Sequence, residues 1–160
     1  MSGWSKEKIL SLIPQQRPMR FVDDILELDE DHILGVYTWK EEDAVESLGR
    51  WIIPHAKLIE MAAQIGNVAW CIYYMSRSVS EEELSRMVGF FAEIRRAECK
   101  KLVFPGDKIA CFASFGEEGY FRSNKLLSEV QMQFDGGPQD GEDVFEGLLS
   151  GLWAPRTGAP

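Results

Sequence analysis

The sequence predicts a single α+β domain in which one long buried helix packs against one face of an antiparallel sheet. Residues 54–76, "PHAKLIEMAAQIGNVAWCIYYMS", form one apolar stretch of helical length. From Met87 onward the texture changes to strand-length runs, "MVGFFAEIRRAECKKLVF", "DKIACFASFGEEGYFRSNKLLSEVQMQF" and "DVFEGLLSGLWA". Turn residues separate these runs at Pro105-Gly106-Asp107, at Gly116 to Gly119 and in "DGGPQDGED". No segment repeats, and 160 residues is the size of one ordinary domain with a real core.

The elements follow in order. "SKEKILSLIP" reads as a short amphipathic helix that Ser5 caps and Pro14 stops. "MRFVDDILELD" and "HILGVYTW" read as two strands joined through the acidic turn "DEDH", where His32 is expected to be exposed and inert. "KEEDAVESLGRW" reads as a polar connection. The long helix then opens at Pro54, because proline is tolerated in a first helical turn, and closes near Ser76. "SVSEEELSR" reads as a solvated turn or short helix with Ser80 as its cap, and residues 154–160 read as a frayed tail.

Composition excludes several classes. A net charge of -9 lacks the basic footprint that phosphate backbones require, so nucleic acid is not an expected partner. Lys100-Lys101 remains a local basic patch that an acidic partner can use. Cys71, Cys99 and Cys111 are odd in number and show no CxxC spacing, which argues against a disulfide framework and against zinc. They read as small core residues of a protein in a reducing, cytoplasmic compartment. "MSGWSKEKILSLIP" has no long apolar region, so no signal peptide is expected. The most apolar run contains Glu60, Gln64 and Asn67, and an intramembrane carboxylate is costly, so the run reads as a buried helix and not a membrane span. No nucleotide-binding loop, serine elbow or metal spacing is present, and no cofactor is expected.

Chemistry concentrates on the helix. Glu60 and Gln64 lie four residues apart, about 40° around the axis, on one face. They either satisfy each other at a polar rim or carry a reaction. Their neighbours Leu58, Ile59, Met61, Ala62, Ala63 and Ile65 are apolar, so the carboxylate is expected to be buried, and such a group suits a general acid. His55 sits in the first turn, where free N–H groups and the helix dipole favour an oxygen ligand. It lies about 140° around the axis from Glu60, so the two cannot readily serve one substrate from one helix.

These residues carry a resemblance. "SLIPQQRPMRFVDDILELD", then "P-x-x-x-L-I-E-M-A-A-Q", then "FFAEIRRAECKKLVFPGDKI" resemble the hot-dog-fold 3-hydroxyacyl-ACP dehydratases of fatty acid synthesis, in order from about Leu12 to Trp153. Aligned back from Gln64, Glu60 falls on that family's catalytic acid, Gln64 on its glutamine and Pro54 on the proline that opens the helix. The family's catalytic histidine, in "GHFP", falls near Glu46, in a segment with no histidine. Its helix-start glycine falls on His55, and its early "PH" histidine on Gln15.

The resemblance implies a hot-dog fold, a long helix wrapped by a sheet, assembled as a homodimer with an acyl-pantetheine thioester held between subunits. A carrier protein or CoA would supply that thioester. It implies Glu60 as the catalytic acid, while His55, the only histidine near the helix start, or Glu46 is the candidate base in place of the family's histidine; Gln64, Pro54, Ala56 and Glu46 are expected to line the substrate. Three functions stay open: a 3-hydroxyacyl thioester dehydratase, a hot-dog thioesterase using Glu60, and a non-catalytic acyl-binding or partner subunit that has lost the base.

Overall fold

A computed structural model describes residues 3–156. Helix α1 (Lys6–Leu12) starts at Ser5, whose hydroxyl accepts from the Lys8 N–H. Strands β1 (Asp24–Leu28) and β2 (His32–Thr38) follow as an antiparallel pair. A single 3-10 turn, Glu41–Asp43, then leads into two short strands, β3 (Val45–Ser47) and β4 (Arg50–Ile52). The central helix runs over 55–75, as α2 (His55–Ala63), a π segment (Gln64–Ala69) and α3 (Trp70–Met75). Helix α4 (Glu81–Ser85) is closed by a reciprocal capping box between Ser80 and Glu83. Strands β5 (Met87–Cys99), β6 (Lys108–Ser114), β7 (Tyr120–Arg122), β8 (Lys125–Phe134) and β9 (Asp143–Pro155) complete the chain.

The main sheet has seven strands in the order β1-β2-β6-β8-β9-β5, with β7 paired to β8, and every pairing is antiparallel. The helix lies across one face of it. Every residue from Met61 to Tyr73 is buried, which follows from a helix that is apolar on all sides. Aromatic groups lock both ends. Phe21, Tyr37 and Trp39 cluster beside its start, with Phe21–Trp39 ring centroids at 5.0 Å. Trp70 stacks on Phe115 at 4.4 Å and Tyr74 on Phe121 at 4.9 Å near its end.

Several elements differ from the sequence reading. The long helix over 54–76 is present but widens into a π segment at Gln64–Ala69. There Gly66 lies against the sheet: an added Cβ would meet Val130 at 2.9 Å and Ala113 at 3.1 Å. The Asn67 amide NH2 is shared among the Leu126 carbonyl, the Ser128 hydroxyl and the Leu149 carbonyl, tying the widened turn to β8 and β9. The connection "KEEDAVESLGRW" contains a hairpin, β3–β4, turned by Leu48 and Gly49 at φ 52° and 77°. His32 is half-buried, stacked on Phe112 with its ring nitrogens against Glu27 and Asp29, because the turn folds back over it. The tail does not begin at 154: Ala154 and Pro155 continue β9 opposite Val88 and Met87, while residues 157–160 lie outside the described residues.

Gly66→Val is expected to lower stability by about 1–3 kcal/mol through overpacking of the helix against β6 and β8. A urea denaturation midpoint equal to that of the wild type would contradict this contact.

Candidate functional site

The site begins at the helix start. Pro54 has no N–H, and its carbonyl accepts from Lys57 at 2.9 Å and Leu58 at 3.4 Å. The amide groups of His55 and Ala56, in the first turn, have no intrahelical partner, and no side chain caps this end. Both residues are exposed. Ala56 lies one turn before Glu60, about 40° away on the same face. The Ala56 position and the carboxylate therefore share one side of the helix, with the free amides at its N-terminal end.

Glu60 is half-buried in the single chain, not buried as the apolar neighbours suggested: Leu58 turns into the core, whereas the Glu60 face at the helix start is only partly covered. Its Oε1 accepts from Gln64 Nε2 at 3.3 Å. Gln64 is itself fully enclosed, at 0% exposure. Its amide oxygen accepts from the Phe21 N–H at 2.8 Å and its nitrogen donates to the Met19 carbonyl at 2.6 Å. A buried amide must find such partners, and here they fix both the loop before β1 and the carboxylate. The single chain thus leaves Gln64 enclosed behind Glu60.

The other candidates lie apart from this pair. His55 is exposed on the far side of the helix start. Glu46 is exposed on β3 opposite Trp51, on the hairpin that precedes Pro54. The basic pair Lys100-Lys101 is neutralised, Lys100 by Glu146 at 3.2 Å and Lys101 by Glu142, so it is not a free cationic patch. Burial pushes the Cys71 and Cys111 thiols far up from their usual range, and that of Cys99 upward too, which leaves them poor nucleophiles.

Three residues beside the site escaped the sequence reading. Asp43 is 2% exposed, and its carboxylate accepts from the Tyr37 hydroxyl at 2.7 Å and the Lys40 N–H at 3.0 Å. Burial, and next the bond to Asp43, push the Tyr37 phenol well up, so it stays a donor. Lys57 Nζ donates to the Asp43 carbonyl at 2.9 Å and lies 5.8 Å from the Phe21 ring centre. An aspartate in "KEED" looks like one more solvated charge, and only its burial singles it out.

No family model matches the chain. The 3-hydroxyacyl-acyl-carrier-protein dehydratase FabZ of Streptococcus pyogenes is 27% identical over 135 residues, covering 81% of this chain and 87% of that protein. Among solved structures, the dehydratase heterocomplex ApeI:P from Xenorhabdus doucetiae aligns with a TM-score of 0.73 at 15% identity, over 93% of this chain and 92% of that one. The thioesterase HI1161 from Haemophilus influenzae aligns with a TM-score of 0.64 at 13% identity, over 99% and 98%. The fold is the hot-dog fold. The chain is similar in sequence to the dehydratases and in architecture to both dehydratases and thioesterases.

Gln64→Met keeps the volume but strips two backbone groups of their partners. It is expected to lower stability by about 2–4 kcal/mol. A thermal or denaturant midpoint unchanged from the wild type would show that the amide does not hold the Met19–Phe21 loop.

Proposed function

We propose that the protein binds acyl thioesters, presented on an acyl carrier protein or on CoA, and acts on them as a 3-hydroxyacyl thioester dehydratase in acyl-chain metabolism. The observation that carries this reading is the uncapped helix start one turn ahead of Glu60. The free amides of His55 and Ala56, opened by Pro54, suit a thioester carbonyl oxygen, and Glu60 one turn on is oriented by Gln64. In this reading Glu60 protonates the leaving hydroxyl, and His55 or Glu46 takes the α-proton. The similarity to FabZ supports the substrate class.

The position of His55 also favours a second reading. No histidine accompanies Glu60 on its own face, so the carboxylate with Gln64 is also equipped to activate water as a thioesterase. The likeness to a solved thioesterase supports that alternative.

The working unit in this proposal is a homodimer. Strand β5 is a thirteen-residue sheet edge with Val88, Phe90 and Ile94 exposed, and such edges attract a pairing strand. Antiparallel pairing about Ile94 would set Glu93 against the partner's Arg95 twice, a self-complementary arrangement. A second copy would also bring its own His55 and Glu46 to the Glu60 face. No helix among the described residues is long and apolar enough to cross a membrane, and the three free cysteines support a reducing, cytoplasmic setting.

Purified protein incubated with 3-hydroxyacyl, 2-enoyl and saturated acyl thioesters separates the readings. Reversible change in enoyl absorbance is the expected result, whereas release of free thiol without it selects the thioesterase. Glu60→Gln is expected to reduce either turnover by about a hundredfold or more while leaving the fold intact. Full activity in that variant would remove Glu60 from the chemistry. Sedimentation at micromolar concentration is expected to give a dimer, and a monomer throughout would count against the shared site.

A further inference from the structure

The 44–53 segment leaves the body of the protein and returns to it at the helix start. It contains only the short hairpin β3–β4, which pairs with no strand of the main sheet. Leu48 at its tip is 101% exposed and Trp51 60% exposed. A two-stranded ribbon of this length is not stable by itself in water, so its position depends on how its ends are tied down.

Both ends are tied beside the same helix turn. At the outgoing end, the Asp43 carboxylate is held by Tyr37 and by the Lys40 amide, and the Asp43 carbonyl receives Lys57 Nζ. At the returning end, the Ile53 N–H donates to the Val103 carbonyl, and Pro54 opens α2. Lys57 is the one side chain in this set that comes from the helix itself. It lies about 60° from Glu60 and about 20° from Gln64 around the axis, on their face. Lys57 therefore links the root of the hairpin to the turn that carries the carboxylate. Its ammonium group sits between the Asp43 carbonyl and the Phe21 ring, and the Phe21 backbone N–H is in turn held by Gln64.

We infer that Lys57 is a positioning residue that ties the root of the 44–53 arm, which carries Glu46 and Trp51, to the helix turn that precedes Glu60. It acts through the arm and touches no reacting atom. Resting on the proposed thioester chemistry, the inference assigns the arm the task of forming one wall of the acyl-thioester site. Lys57 sets where the root of that wall stands relative to the helix start. Arginine at this position retains a cationic donor long enough to reach the Asp43 carbonyl, whereas methionine retains the packing stem and loses the donor.

Hydrogen exchange followed by mass spectrometry on the full chain tests this directly. In Lys57→Met, amides of 44–53 are expected to exchange about tenfold faster, with the β8 peptide 126–134 unchanged, and Lys57→Arg is expected to restore most of the protection. Turnover of the 3-hydroxyacyl or saturated acyl thioester that the wild type accepts is expected to fall about tenfold in Lys57→Met and to recover in Lys57→Arg. Unchanged exchange over 44–53 overturns the inference, and so does faster exchange with turnover unaltered. If Lys57→Met fails to fold, Tyr37→Phe decides: it removes a donor from Asp43 without opening a cavity, and the same local loosening is required of it. A wild type that turns over no acyl thioester would sink the proposed function, and the exchange result would then decide the placement of the arm alone.

Discussion

The Gln64 side chain is where the core and the site meet. A fully buried amide is tolerated only when its oxygen and both hydrogens find partners, and these come from the Phe21 N–H, the Met19 carbonyl and Glu60. The same three bonds close the loop ahead of β1 over the helix start, seat Phe21 against Tyr37 and Trp39, and aim a carboxylate outward. The helix cannot slide or rotate on the sheet without leaving some of these groups unpaired in the interior. Stability and orientation of Glu60 thus depend on one residue.

Around that point the structure divides into a rigid part and an appended part. The rigid part is the helix 55–75 on the seven-stranded sheet, where Gly66 permits close approach and Asn67 ties the π segment to β8 and β9. The appended part is the β3–β4 hairpin, which gains little from its own two strands and is held at its root by Asp43 and Lys57. The open β5 edge adds a second surface at which a pairing strand would complete the sheet.

Much of this was legible in the residues. The helix over 54–76 was predictable because its apolar run is long and carries a proline at its start, and the structure places it at 55–75. Ser5 and Ser80 were recognisable as caps because the preference for serine there is local chemistry, a side-chain oxygen and a nearby N–H. Glu60 and Gln64 could be paired from spacing alone, since four residues is one helical turn. The β3–β4 hairpin was not legible: its strands are three residues each, and its turn is Leu48-Gly49, without an asparagine or aspartate to mark it.

By itself, then, the sequence determined the order and type of the main elements, the long buried helix and the carboxylate–amide pair upon it. Each of these follows from periodicity or from contacts within one turn. Only the tertiary structure decided what closes around them. Gln64 finds its backbone partners 43 and 45 positions away, and Asn67 finds carbonyls 59 and 82 positions away. Asp43, one acid among three in "EED", becomes a buried anchor because Tyr37 and Lys57 converge on it from a strand and a helix. Such pairings depend on where distant segments meet, and that information is absent from local pattern because the same residues in solvent would have no reason to associate.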